Sequence, residues 1–371
     1  MLPMVTDTTR RTLLKAALGC AAVPLLPFGC ATRKDGATRK DGMSTSNDPQ
    51  LIGCALNGRG QYSAVVADEF GMPLSQLPIP DRGHGVAICP TSSHAVVFAR
   101  RPGDYFMVFD YKNGQQINMI VKGNNRHFYG HGVYSLDGKL LYATEGKTDT
   151  SQGVIGVYDV AQGYRKVEEF TGFGIGPHEV IIMPDGNLAI GVGGVHTDGR
   201  TPKNLDSMQP SLSYVSPEGV LLDQVELLDK KLSIRHLAHD GAETVLCGQQ
   251  YRGEPDEFPS LLAMHTKGGQ FESLNAEPEQ WARFNHYIAS IAASDDWIIA
   301  TSPRGNCYGI WSKESKELVE LSALSDASGA VLLDGEFRLS SGAGSVVSQR
   351  KPYEKSTQQS SVQWDNHWSS I

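Results

Sequence analysis

The chain has 371 residues, 40% of them hydrophobic and 20% charged, enough for one large all-β domain or two ordinary ones around a real core. A net charge of −8 argues against a general nucleic-acid binder, so no nucleic acid is expected as partner. The 40 glycines and 19 prolines suit a structure with many tight turns.

The first element in chain order is a targeting segment. Thr9-Arg10-Arg11-Thr12-Leu13-Leu14-Lys15 reads as a twin-arginine export motif and runs into an apolar stretch from Ala16 to Phe28. That stretch is too short to span a bilayer comfortably and has the length of a signal core. Residues 1–31 are therefore expected to be a signal peptide that exports an already folded protein to the periplasm. Leu26-Pro27-Phe28-Gly29-Cys30 resembles a lipobox except at Pro27, which leaves Cys30 as a candidate lipid anchor beside ordinary cleavage. Residues 32–49 contain "ATRKDG" twice in succession and read as a disordered polar tether. Cys54, Cys89, Cys247 and Cys307 remain, none in a CxxC spacing; the first three sit in apolar strand patterns and are expected to be buried free thiols.

From residue 50 onward short strand patterns repeat. "LIGCALNG" (51–58) and "YSAVVADEFG" (62–71) begin the series. A strand led by a His or a small polar residue then recurs with that residue at 84, 131, 178, 236, 286, 328 and 367, a spacing typical of a four-stranded propeller blade. Second strands follow, such as "HAVVFARR" (94–101), "LLYATEGK" (140–147) and "WIIATSPR" (297–304), and third strands such as "YFMVFDYKNG" (105–114). Their β-branched, apolar runs between turn residues fit strands rather than helices. The chain opens on a second strand at Leu51 and closes on a lone first strand at His367. The reading is a seven-bladed β-propeller over 50–371, its last blade built from three N-terminal strands and one C-terminal strand, which pairs the otherwise exposed edges. Residues 351–363 are expected to be a loose last strand or crossing loop.

In a propeller the first strands line the central channel. His84, His131, His178, His236, His286 and His367 are thus predicted to form a ring, with Ser328, flanked by Asp326, in the seventh place. Three readings stay open. The imidazoles lock neighbouring blades by bonding backbone; or they bind a transition metal, Fe, Cu or Zn, with Glu179, Glu145 and Asp326 as added or orienting oxygen groups and His127 as an outer ligand; or the mouth attracts an anion. For the last, the exits of the second strands supply Arg59, Arg101, Lys147 and Arg304, with Arg252 close by. Two longer loops, 195–210 and 251–259, are expected on the same side as a cap. Gly172–Gly176 resembles a phosphate loop in composition only, because a strand follows it.

The Arg-Arg signal, the histidine-led repeats and the terminal "WDNHW" (364–368) together resemble a family of bacterial twin-arginine-exported propellers of unknown function. Members are often encoded beside imelysin-type periplasmic iron-uptake proteins. The resemblance implies a role in iron or metal acquisition and an imelysin-like protein or a metal chelate as partner; it supplies no catalytic residues. The reading is a non-enzymatic binding or accessory protein acting at the histidine-ringed mouth. A metal-dependent oxidoreductase or hydrolase using the same hub, and a purely structural interaction module, are its alternatives.

Overall fold

The computed structural model describes residues 48–371. The twin-arginine segment, Cys30 and nearly all of the tether lie outside them. The described chain forms seven four-stranded antiparallel sheets. The innermost strands of blades 1 to 6 are Gly83–Ile88, Arg126–Tyr134, Pro177–Ile182, Leu232–His239, Ser290–Ala293 and Ala327–Leu333. Each packs against the next, and the last and first are joined through Gln363–Ser370 of blade 7, so the ring is closed.

The strand chemistry follows from position in the blade. A second strand such as His94–Ala99 lies between neighbouring sheets and is almost wholly buried, so its pattern is a continuous apolar run. The outermost strand of the same blade, Gln115–Val121, faces solvent and is largely polar at its exposed end. In blades 1 and 2 the turn between third and fourth strands is led by an aspartate. Asp110 Oδ1 accepts the Lys112 and Asn113 N–H groups (2.8 and 3.2 Å), and Asp159 Oδ1 that of Gln162 (3.0 Å). The Phe109-Asp110 and Tyr158-Asp159 pairs are thus strand ends with Asx-type caps.

Blade 7 has the expected composite build. Leu51–Leu56 pairs on one side with Tyr62–Ala67 and on the other with the terminal strand, Leu51 opposite Ser370 and Gly53 opposite Trp368. Trp364 and Trp368 meet edge to face at 4.9 Å and pack with Leu51, Val65, Val346 and Val362. The terminal strand starts at Gln363, earlier than His367, and Glu354–Gln359 is the fourth strand of blade 6. Cys54, Cys89, Cys247 and Cys307 are all buried free thiols. The 195–210 segment contains a small hairpin, Thr197–Asp198 with Thr201–Pro202, and a 3₁₀ turn at Leu205–Ser207. A short helix, Pro278–Ala282, links blades 4 and 5 and stacks Trp281 on Trp311 at 5.4 Å.

Candidate metal centre and arginine chamber

The hub histidines owe their direction to β-bulges. The inner strand carries surplus residues against its neighbour between Gly83 and Val86, Phe128 and Gly132, Pro177 and Glu179, and Ile234 and His236; in blade 7 the surplus lies between Trp364 and Trp368. His84, His131, His178, His236 and His367 lie within or at the end of these bulges. A bulge turns a side chain that would otherwise enter the blade core toward the channel.

Five imidazoles therefore converge. Ring centroids of His84 and His367 are 4.5 Å apart, His84 and His131 4.7 Å, His131 and His178 4.9 Å, His178 and His236 4.9 Å, and His236 and His367 4.7 Å. Glu179 reaches in from blade 3, with its two carboxylate oxygens 3.4 Å from His131 Nδ1 and from His236 Nδ1. Its Oε2 also accepts the Leu237 N–H at 2.9 Å. Two three-residue groups have ligand atoms within 4.8 Å of one another: His84, His131 and His367, and His131, Glu179 and His236.

The electrostatics favour neutral rings at His84, His178, His236 and His367. Burial first, and the neighbouring imidazoles next, hold His84, His178 and His367 well below the ordinary histidine value. His236 is lowered as well, because burial outweighs the pull of Glu179. Burial works against ionisation of Glu179, yet His131 and His236 hold it well below the usual carboxylate range. Neutral imidazole and ionised carboxylate are the ligating forms. His84 Nδ1, His131 Nε2, His178 Nδ1, His236 Nε2 and His367 Nε2 are buried without a hydrogen-bond partner, and His236 Nδ1 has only the Glu179 carboxylate, at 3.4 Å. Buried polar atoms are ordinarily paired, so interlocking of blades through backbone bonds does not account for this cluster.

The close approach depends on glycine. Gly130 has φ +102°, and a Cβ at Gly85 would lie 2.6 Å from the Gly130 carbonyl oxygen and 2.8 Å from His131 Nδ1. Gly85→Ala should therefore displace the His131 ring and lower stability by about 1–3 kcal/mol, read as a fall in thermal midpoint.

Not every predicted residue joins the cluster. His286 stands outside it. The chain leaves the short helix through left-handed Asn285 and His286 (φ 48° and 56°), and the hub strand of blade 5 begins only at Ser290 and has no bulge. The His286 ring instead donates Nε2–H to the Glu257 carbonyl (2.8 Å) and stacks on Phe258 at 5.4 Å. Ser290 holds its hub place, accepting the Ala330 N–H at 3.1 Å. Glu145 is turned into the blade, bonded to Tyr158 Oη (2.6 Å) and Lys166 Nζ (2.7 Å), so it neither ligates nor orients a hub imidazole. His127 packs edge-on against Tyr129 at 4.7 Å and, through burial and Arg101, sits at about 4; it belongs to neither ligand group. Ser328 Oγ is satisfied by the Asp326 carbonyl (2.9 Å).

On one side of the cluster, floored by His84 and His178, opens a chamber of about 370 Å³. Its walls are arginine. Blade 1 contributes Arg82, Arg100 and Arg101, blade 4 Arg235 and Arg252, blade 5 Arg304, and the 195–210 hairpin Arg200. Asp326 is the wall's carboxylate, and burial raises it. Of the predicted basic residues, Arg101 and Arg304 line the chamber, as does Arg252, expected close by. Arg59 lies in an exposed turn, its N–H on Asn57 Oδ1 (3.0 Å), and Lys147 ends the second strand of blade 2; neither lines the chamber. Arg82, Arg100, Arg200 and Arg235 were missed, although Arg82 and Arg235 stand beside hub histidines in the sequence and Arg100 precedes Arg101. Asp365 was also missed; it pairs with Arg82 and lies 4.0 Å from His84 Nδ1. On the other side of the cluster a smaller cavity of about 110 Å³ is lined by His131, His236, His367 and Glu179 among others.

The closed ring of seven sheets with an imidazole cluster at its hub defines a β-propeller with a candidate ligand site at the centre. The chain belongs to the family described as "protein of unknown function (DUF1513)", whose model matches residues 77–371. Among solved structures it is similar to a chain of Kuenenia stuttgartiensis hydrazine synthase, with 13% identity and a TM-score of 0.60 over 87% of this chain and 99% of that one. That likeness shows the fold alone. No curated protein matches the chain.

Proposed function

We propose that the protein is an exported, periplasmic binding protein that holds a transition-metal ion in its hub and serves metal acquisition without catalysing a reaction. The observation that carries this reading is the set of five buried, converging imidazoles with open ring nitrogens beside an ionised Glu179. Nitrogen ligands with one carboxylate suit Fe, Cu or Zn. Calcium chemistry, which a propeller hydrolase of the lactonase kind uses, needs a carboxylate-rich site that these residues do not supply. Closing three ligand atoms onto one ion asks the rings to move inward by roughly an ångström. The resemblance in the sequence adds iron as the favoured metal and an imelysin-like protein as the partner that delivers or receives it. A lipid on Cys30 would tether the propeller at the membrane.

His131 belongs to both ligand groups, so it is the residue to remove. Protein purified from the periplasm should carry about one equivalent of transition metal by elemental analysis. His131→Ala should carry almost none while keeping the native circular dichroism. Adding the metal at about a hundred times its Kd should raise the stability of the stripped parent by about 2.7 kcal/mol and leave His131→Ala unmoved. A parent that emerges metal-free and melts identically with and without iron, copper or zinc would refute the reading.

A further inference from the structure

The chamber carries an excess of positive charge that the hub imidazoles do not explain. Of its seven arginines, Arg82 alone makes an ion pair among the described residues, with Asp365. Arg101 donates to Thr197 Oγ1 (3.3 Å), Arg252 to Gln250 Oε1 (3.0 Å), and Arg304 lies over the Tyr287 ring at 4.4 Å. Arg235 is the extreme case, 2% exposed and with Nε lacking a hydrogen-bond partner. Counting Asp326 and Asp365, guanidiniums outnumber carboxylates seven to two around this space. A buried, unpaired cation is strongly destabilising. Such groups are retained where a ligand neutralises them, and the volume matches that of small-molecule pockets.

We propose that the chamber is the binding site of a compact multivalent oxyanion, a polycarboxylate or a polyphosphate. Guanidinium forks bind carboxylate and phosphate oxygens in pairs, and walls supplied by blades 1, 4 and 5 and by the Arg200 hairpin surround the anion on several sides. Its affinity comes from the arginines and does not require the hub metal. His84 and His178 at the floor place any metal carried by a polycarboxylate beside open imidazole nitrogens.

The test uses the full chain, stripped of metal over a chelating resin. It is titrated calorimetrically with citrate in one arm and pyrophosphate in another, against sodium chloride at matched ionic strength. At least one arm should saturate at about one anion per chain, with affinity that falls as salt is added; which arm does so distinguishes the carboxylate from the phosphate source. Arg235→Gln and Arg252→Gln should each weaken that binding at least about ten-fold. Arg235→Gln should melt no lower than the parent without anion, since it removes an unpaired buried charge. A purely structural Arg235 would show the reverse, a lower midpoint with unchanged binding. No saturable heat and no anion-specific melting shift with either anion up to about 10 mM, the weakest affinity worth assigning, overturns the proposal. So does binding unchanged in both variants. His131→Ala leaves the chamber walls intact, so it should lose metal yet keep its citrate or pyrophosphate affinity, which separates failure here from failure of the metal reading.

Discussion

Stripped of metal, the protein should lose stability steeply as the pH falls below about 6.5, well before ordinary carboxylates titrate. The folded state holds His84, His178, His236 and His367 below their unfolded value of 6.5. Between the two values the unfolded chain binds protons that the folded hub refuses. Stability contributed by these neutral rings is full above the unfolded pKa and is lost as pH falls toward the folded one. Each such histidine adds a slope of ~1.4 kcal/mol per pH unit within its window. Glu179, also held low, contributes stability that is present above 4.5 and lost further down. Urea unfolding at a series of pH values measures the slope directly. A midpoint unchanged between pH 7 and 5 would show that the imidazoles are not neutral and buried together. A metal bound at the hub as proposed would compete with protons for the same nitrogens, so added metal should extend acid resistance to a lower pH.

Removing residues 363–371 should prevent the propeller from closing. The deletion strips the partner from Leu51–Leu56 and opens an unpaired edge between two hydrophobic surfaces. The expected product is aggregated, read as void-volume elution in size-exclusion chromatography. Trp368→Ala is the milder form. Its ring is 5% exposed and meets Trp364 and Val346, so the cost should be about 3–5 kcal/mol. Because Trp364 and Trp368 touch, the double alanine variant should cost less than the sum of the two singles. A truncated chain that stays monomeric with a native melting curve would contradict the closure.

The architecture was legible because a repeat fixes geometry. Once His84, His131, His178, His236 and His367 share one place in successive units, they must meet at the hub, and they do. The same logic misled at His286. Its neighbours in sequence match the repeat, but the Pro278–Ala282 helix shifts the chain, and the hub strand starts four residues later. Glu145 was misplaced for a different reason. Strand residues alternate between faces, and only the paired register shows that it points to Tyr158 and Lys166. The chamber was half visible. Arg101 and Arg304 follow from where second strands end. Arg235 reaches the chamber through the bulge beside His236, and Arg200 through a hairpin, neither of which a pattern of apolar residues encodes. Glu179 was picked out as an orienting group, and its bridge between two imidazoles follows from the bulge at Pro177–Glu179.

Two of the five rings face the arginine side and three face the small cavity beyond. The imidazole layer thus stands between the arginine chamber and the small cavity. The two cavities share no lining residue, so a substitution in either wall leaves the other lining unchanged and the two spaces are open to separate perturbation.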